Sequence, residues 1–204
     1  MELVLVRHAE PVRVGADETN GEAADPGLTD RGREQSRRVA TWLAAERFDA
    51  VLVSPKRRAV ETAAPLADAL AVAAKIDAGI IEYDAQSRDY IPMDELRATR
   101  DPRFTAMVEG RWQEFGGEPP DEFRARLRAW LDATVAEHPG ERVVAVCHGG
   151  VINVLLAIVL ELDRHLWFEP AYTSISRVHA SRGGIRSVAS INETAHLVAT
   201  RDLA

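Results

Sequence analysis

Three short apolar runs, Leu3–Val6, Ala50–Val53 and Val143–Val146, constrain this chain more than any other feature in it. They are rich in valine and leucine and do not alternate with polar residues, which is the pattern of strands covered on both faces. Such strands belong to a parallel sheet packed between helices. Two of the three run straight into a histidine, as Leu3-Val-Leu-Val-Arg-His8 and Val143-Val-Ala-Val-Cys-His148. In open α/β proteins, ligands collect beyond the carboxyl ends of parallel strands. The two imidazoles are therefore expected to meet across one cleft although they are far apart in sequence.

The segments between these runs have helical periodicity. Thr29-Asp-Arg-Gly-Arg-Glu34 leads into a helix over Gln35–Arg47, with Val39, Trp42 and Leu43 on one stripe. Ser54-Pro55 reads as a side-chain cap followed by proline at the first helical position, opening a helix that runs to about Leu70. Asp121–Glu137 aligns Phe123, Leu127, Trp130 and Leu131 and is closed by His138-Pro-Gly140, while Val151–Leu160 is apolar enough for a buried helix. Ser174–Ser181 and Ile185–Ile191 flank Gly183-Gly184 and predict a hairpin. The expected architecture is a three-layer α/β/α sandwich with a mostly parallel central sheet, forming one domain over residues 1–204. The rhythm breaks between Tyr83 and Pro120, where Asp84, Asp89, Asp94 and several arginines mix with Tyr90, Phe104, Trp112 and Phe115 and no strand is evident. Residues 83–120 read as a partly helical cap or lid insertion. Its aromatics suit a small satellite core and a substrate wall equally well.

Composition narrows the setting. The chain has 204 residues, 46% of them hydrophobic, enough for one well-buried domain, and a formal charge of −7. That charge argues against a nucleic-acid-binding face and against an anionic membrane partner. Any positive site must be local. The single cysteine, Cys147, cannot form an intramolecular disulfide, and the N-terminus enters a Val/Leu run with no basic stretch before it, so a reducing, cytoplasmic location is expected. An edge strand or an apolar helix face leaves a homodimer open.

Arg7-His8 follows a strand, so both side chains leave the sheet at its carboxyl end. A neutral imidazole there can attack an electrophile, and its ordinary pKa near 6.5 allows it to be neutral. Arginine's planar fork matches phosphate oxygens bidentately, so an Arg-His pair suits a phosphoryl group better than an acyl group. Ser54-Pro-Lys-Arg-Arg-Ala-Val-Glu-Thr-Ala63 brings further arginines to the same edge, and His148-Gly149-Gly150 opens a helix whose free N–H groups favour an anion. The expected site is a phosphate pocket. No His/Cys/Asp cluster has the spacing of a zinc or two-metal site, so neither a metal nor another cofactor is expected.

These pieces resemble the histidine phosphatase superfamily, the phosphoglycerate-mutase-like proteins. The likeness lies in Leu5-Val-Arg-His8, then Gly27-Leu28-Thr29 with Gly32 and Gln35, then Val53-Ser-Pro-Lys-Arg-Arg-Ala-Val-Glu-Thr-Ala63, then Cys147-His-Gly-Gly-Val151, in the family's order. The resemblance implies His8 as the phosphorylated nucleophile, Arg7 and Arg58 as holders of the phosphoryl oxygens, and His148 with Gly149 completing the pocket. Arg58 is chosen over Arg57 because it stands four residues after Ser54 and directly before Ala59. Glu82, after Gly79-Ile80-Ile81, is the expected proton donor, with Asp84 as its rival. The aromatic and glycine signature that follows this glutamate in similar proteins is missing, since Tyr83-Asp-Ala-Gln-Ser87 follows instead.

The resemblance implies a phosphatase that hydrolyses a phosphomonoester, with a phosphorylated small molecule as substrate and a phosphoprotein as an open alternative. A mutase-type phosphotransferase is the runner-up, set back because Val14 stands where mutases resembling this chain carry an asparagine. A catalytically silent phospho-ligand binder ranks below both. Asn20 is an unassigned possible contact. Cys147 reads as a small buried hydrophobe pointing away from His148, and His138, His165, His179 and His196 as structural or solvent-exposed. Lys56, Arg57 and Arg33 read as decoration of helix surfaces.

Overall fold

The computed structural model describes residues 1–198. Its six strands are β1 (Glu2–Arg7), β2 (Ala50–Val53), β3 (Ala74–Ile76), β4 (Arg142–Cys147), β5 (Ile175–Ala180) and β6 (Arg186–Glu193), hydrogen-bonded in the order β3-β2-β4-β1-β5-β6. β3, β2, β4 and β1 run parallel, and β5 and β6 complete the sheet antiparallel. The three apolar runs are thus neighbours in the middle of the sheet. Their side chains alternate between two cores, although both cores are apolar. Leu3, Leu5, Leu52, Val143 and Ala145 face one side, and Val4, Val6, Val51, Val53, Val144 and Val146 face the other.

Helices α1 (Asp30–Leu43) and α2 (Arg57–Leu70) cover the second side with Val39, Leu43, Ala59, Ala63 and Leu66. Helices α5 (Pro120–Glu137) and α6 (Gly149–Val159) cover the first with Phe123, Leu127, Leu131, Ile152 and Leu155. This is the three-layer α/β/α sandwich with a mostly parallel sheet that the runs predict. The hairpin between β5 and β6 turns through Gly184 at φ 87°, in the left-handed region that glycine enters without a Cβ penalty. Among the described residues, no helix is long and apolar enough to cross a membrane.

Several expectations need correction. The first helix begins at Asp30, capped by Thr29, whose Oγ1 accepts from Gly32 N at 2.9 Å, and it ends at Leu43 instead of Arg47. It stops there because Phe48 has to turn back into the core ahead of β2. Trp42 is 46% exposed and leaves the stripe to Val39, Ala40 and Leu43. Ser54 does not cap α2: its hydroxyl is engaged by His148, and the helix opens at Arg57, whose N–H donates to Asp25 Oδ1 at 2.9 Å. A cap supplied from a distant loop leaves no local signal. β3 was not expected at all, because three exposed residues at a sheet edge carry neither alternation nor an apolar run.

Residues 83–120 fold as α3 (Met93–Ala98), α4 (Pro102–Val108) and a 3-10 turn over Trp112–Phe115. Trp112 is buried, stacks on Tyr83 with ring centroids 4.2 Å apart and meets the edge of Phe123 at 5.5 Å. It ties the segment to α5. At the other end Tyr90 pairs with Val14 through both backbone groups, at 3.1 and 2.9 Å. The aromatics therefore divide: Trp112 belongs to the core, whereas Tyr90 and Phe104 face a cavity.

Candidate active site

The adjacent ends of β1, β4 and β2 bring His8, His148 and Ser54 together. Their registers place Arg7 beside Cys147 and Val53 beside Val146, so the next residue of each strand reaches the same sheet edge. The rings of His8 and His148 lie 5.2 Å apart between centroids, and both side chains are buried. His8 Nδ1 lies 2.8 Å from the carbonyl oxygen of Ala9. Because a carbonyl only accepts, Nδ1 carries the proton in the neutral ring and Nε2 presents a lone pair. His148 Nε2 lies 2.7 Å from Ser54 Oγ. Burial, followed by the charges of Arg58 and Arg7, pushes the pKa of His8 well below its ordinary value. Burial and Arg58 do the same to His148. Both rings are neutral at pH 7.

The loop after His8 is held by the other matched segments. Ala9 N donates to Thr62 Oγ1 at 2.9 Å, Glu10 N donates to Gln35 Oε1 at 3.0 Å, and Glu10 O accepts from Thr29 N at 3.0 Å. Glu61 accepts from Leu28 N at 2.8 Å. Thr29, Gln35 and Thr62 thus brace the loop after His8 against α1 and α2. Gly32 permits the close approach, since a Cβ there would stand 2.1 Å from Glu10 O. Replacing glycine inside a helix by alanine normally gains about 1 kcal/mol, but this overlap is with backbone and costs about 1–3 kcal/mol. The overlap wins. Gly32→Ala is expected to lower the melting temperature by a few degrees and kcat/KM at least tenfold. A variant with wild-type melting and activity would show that Glu10 is not clamped there.

Buried Arg58 and half-buried Arg7 flank His8. The Arg7 guanidinium lies 4.1 Å from the ring centre of Tyr172 and donates through Nη1 to Pro170 O. The Arg58 guanidinium lies 4.8 Å from the ring centre of Tyr90, and Tyr90 and Tyr172 approach His8 at 6.4 and 5.8 Å between centroids. Arg7 Nε, Arg58 Nε and His148 Nδ1 are enclosed with no hydrogen-bond partner among the described residues. Enclosed donors of this kind suit an anion. The N-terminus of α6, which opens directly after His148, adds its positive end at the same edge.

Glu82 and Asp84 line the same cavity of about 260 Å³, with Arg7, His8, Arg58 and Gly149. Glu82 is buried, and its Oε2 accepts from Gly150 N at 2.8 Å. Burial first and the Asp84 charge second raise its pKa to about 7, so the carboxyl holds its proton for much of the time at neutral pH. Gly150 is what lets Glu82 sit there, because a Cβ would fall 2.4 Å from Oε1. Asp84 is less buried and faces Arg58, with its Oδ1 3.8 Å from Nη2.

The remaining polar candidates lie elsewhere. Cys147 is buried in the core on the α5/α6 side, where burial raises its thiol pKa well above normal. His138 meets Glu141 at 2.7 Å, His196 meets Thr173 at 3.1 Å, His165 packs near Trp112, and His179 is exposed. Arg57 pairs with Glu61 at 2.6 Å near the surface, and Arg33 donates to Leu28 O at 2.8 Å. Lys56 is not surface decoration: it is buried, and its Nζ donates to Ala24 O and Ala85 O, tying the loop before α1 to the start of the 83–120 segment. Asn20 sits in a left-handed turn outside the His8 cavity. Among the described residues, no group of three or more His, Cys, Asp or Glu side chains is placed to hold a metal ion. Tyr172 at the site was not expected, Tyr90 was expected only as one of the aromatics of the 83–120 segment, and Ser54 only as a helix cap. Only Ser54 stood inside a recognisable motif.

Fold and pocket together define an α/β protein with an anion-accepting site built from strand-end histidine and arginine. The family model described as histidine phosphatase superfamily (branch 1) matches residues 3–194. The chain belongs to that superfamily. It is 32% identical over 163 residues to phosphoglycerate mutase-like protein 4 of Arabidopsis thaliana, covering 76% of this chain and 69% of that one. It is 29% identical over 175 residues to glucosyl-3-phosphoglycerate phosphatase of Mycolicibacterium vanbaalenii, covering 81% and 76%. The crystal structure of a phosphoserine phosphatase mutant from Entamoeba histolytica superposes with a TM-score of 0.77 at 21% identity over 97% of this chain and 99% of that one, a likeness of fold. Mycobacterial relatives at 29% identity are longer, and the chain spans about half of their length, 54%.

Proposed function

We propose that the chain is a phosphatase that hydrolyses a phosphomonoester of a small molecule through a phosphohistidine on His8. Neutral His8 attacks phosphorus with the Nε2 lone pair while its Nδ1–H stays on Ala9 O. A P–N bond forms, the bond from phosphorus to the ester oxygen breaks, and that oxygen takes the proton of Glu82. Arg7, Arg58, His148 and the N–H groups opening α6 hold the equatorial oxygens, where charge develops. The alcohol leaves. Water then attacks phosphorus, gives its proton to the Glu82 carboxylate and releases inorganic phosphate, which returns the lone pair to His8.

The observation that carries this reading is the juxtaposition, in one cavity, of a neutral histidine with a fixed tautomer, two enclosed arginines and a buried carboxyl that titrates near neutrality. The superfamily and the phosphatase among the relatives support it. Rapid acid-free quenching of the chain with a ³²P-labelled phosphomonoester is expected to leave a label on the peptide containing His8 that is acid-labile and base-stable. A label on another residue, or turnover that never labels the chain, would count against the mechanism. Isomerisation of 3-phosphoglycerate primed by a bisphosphate, without net hydrolysis, would favour the mutase instead.

A further inference from the structure

Beyond the phosphoryl grip, the cavity changes character. Its wall is made by Met93, Phe104, Met107 and Val108 of the 83–120 segment on one side and by Leu166 and Trp167 on the other. Both sides are fixed from behind. Trp112, buried under α4, donates its indole N–H to Met107 O at 2.7 Å. Opposite, Asn153 has spent its whole amide on the wall: Nδ2 donates to Gly149 O and Phe168 O, and Oδ1 accepts from the N–H groups of Trp167 and Phe168. Asn153 therefore has little left to offer a polar substrate.

The charges of this outer part are also informative. Asp84 faces Arg58, Glu169 is paired with Arg97 at 2.6 Å, and both are acidic. Outside the phosphoryl grip, the exposed Arg164 is the cation of this lining without an acidic partner among the described residues. A carboxylate on the leaving group would share this part of the cavity with two acids and an apolar wall. At about 260 Å³ the cavity is at the small end for small-molecule sites, with room for about one ring beside the phosphoryl group.

We infer that the leaving group taken here is an uncharged, apolar alcohol bearing an aromatic or branched aliphatic group, and not one carrying a carboxylate such as phosphoserine or 3-phosphoglycerate. This rests on the phosphatase reading, which it deepens by naming the class of ester.

The test compares kcat/KM of the full chain for 2-phenylethyl phosphate, glycerol phosphate, phosphoserine and 3-phosphoglycerate, all alkyl esters with similarly poor leaving groups. Burying one ring is worth about 10- to 100-fold, so 2-phenylethyl phosphate should exceed the other three by that factor. The ratio of 2-phenylethyl to glycerol phosphate should fall about tenfold in Phe104→Ala. Val108→Glu, on a partly exposed helix surface that tolerates the change, should lower it likewise if Phe104→Ala misfolds. Equal or better turnover of the carboxylated esters overturns the inference, the more so if Arg164→Ala removes that preference. If no ester is turned over the phosphatase reading fails, and calorimetric binding still decides the inference. In that case 3-phenylpropylphosphonate should bind at least tenfold more tightly than 2-amino-4-phosphonobutanoate, and the reverse order overturns it.

Discussion

His8→Ala is expected to reduce phosphomonoester hydrolysis by about 10⁴-fold or more, because no second group in the pocket can take over in-line attack. His148 is the nearest imidazole, but its ring is enclosed and its Nε2 is tied to Ser54. Folding should survive the change, since the His8 side chain bonds only to the carbonyl of the next residue. Acid stability supplies a second readout. The folded-state pKa of His8 lies below its unfolded value, so below about pH 6.5 the unfolded chain binds a proton that the native site refuses, and stability drops as pH falls. At pH 5.5 this contribution reaches up to about 1.4 kcal/mol. His8→Ala removes it, so the variant should lose a few degrees less in melting temperature between pH 7.5 and 5.5 than the wild type. Turnover within tenfold of wild type, in a variant shown to be folded, would falsify the assignment of the nucleophile.

What the sequence made legible follows from how local each signal is. The central strands announced themselves because a doubly covered strand needs an apolar residue at every position, and that pattern is carried within four to six residues. The stripe on α5 was legible for the same reason, every predicted member being buried. The errors arose where a distant partner decided the outcome. Ser54-Pro55 has the composition of a helix start, but a neutral buried imidazole competes for the serine hydroxyl and Asp25 caps the helix in its place. Lys56 looked like a surface cation because nothing nearby in sequence reveals the two carbonyls, from Ala24 and Ala85, that bury it.

The site divides in the same way. His8, Arg7, Arg58, His148 and Gly149 sit at strand-helix junctions, whose place at one sheet edge is dictated by topology. Tyr90 and Tyr172 come from a segment without periodicity and from the stretch before β5. Their relation to Arg58 and Arg7 exists only in three dimensions. Glu82 was legible as a candidate by position, whereas its choice over Asp84 rests on burial and the Gly150 N–H, which no local pattern encodes.

That choice leads to the second large expected effect. Glu82→Gln keeps the size of the side chain and removes its proton, and should lower kcat/KM for alkyl phosphates by about 10²–10⁴-fold. An aryl phosphate, whose leaving oxygen scarcely needs protonation, should lose much less. The pH profile separates this from a structural defect. With a pKa of about 7, Glu82 is increasingly deprotonated as pH rises, so wild-type kcat/KM on an alkyl ester should decline above about pH 7, and Glu82→Gln should abolish that decline. Asp84→Asn gives the opposite signature. The Asp84 charge is the second cause of the raised Glu82 pKa, so its removal should move the decline to lower pH and leave the maximal rate within about tenfold. If Asp84→Asn instead costs 10²–10⁴-fold on alkyl esters and Glu82→Gln costs less than tenfold, the two carboxylates exchange roles. The proton would then come from the group facing Arg58. For Glu82 the main influences on the proton are burial and then the Asp84 charge, both of which hold it on the carboxyl that the mechanism needs as an acid.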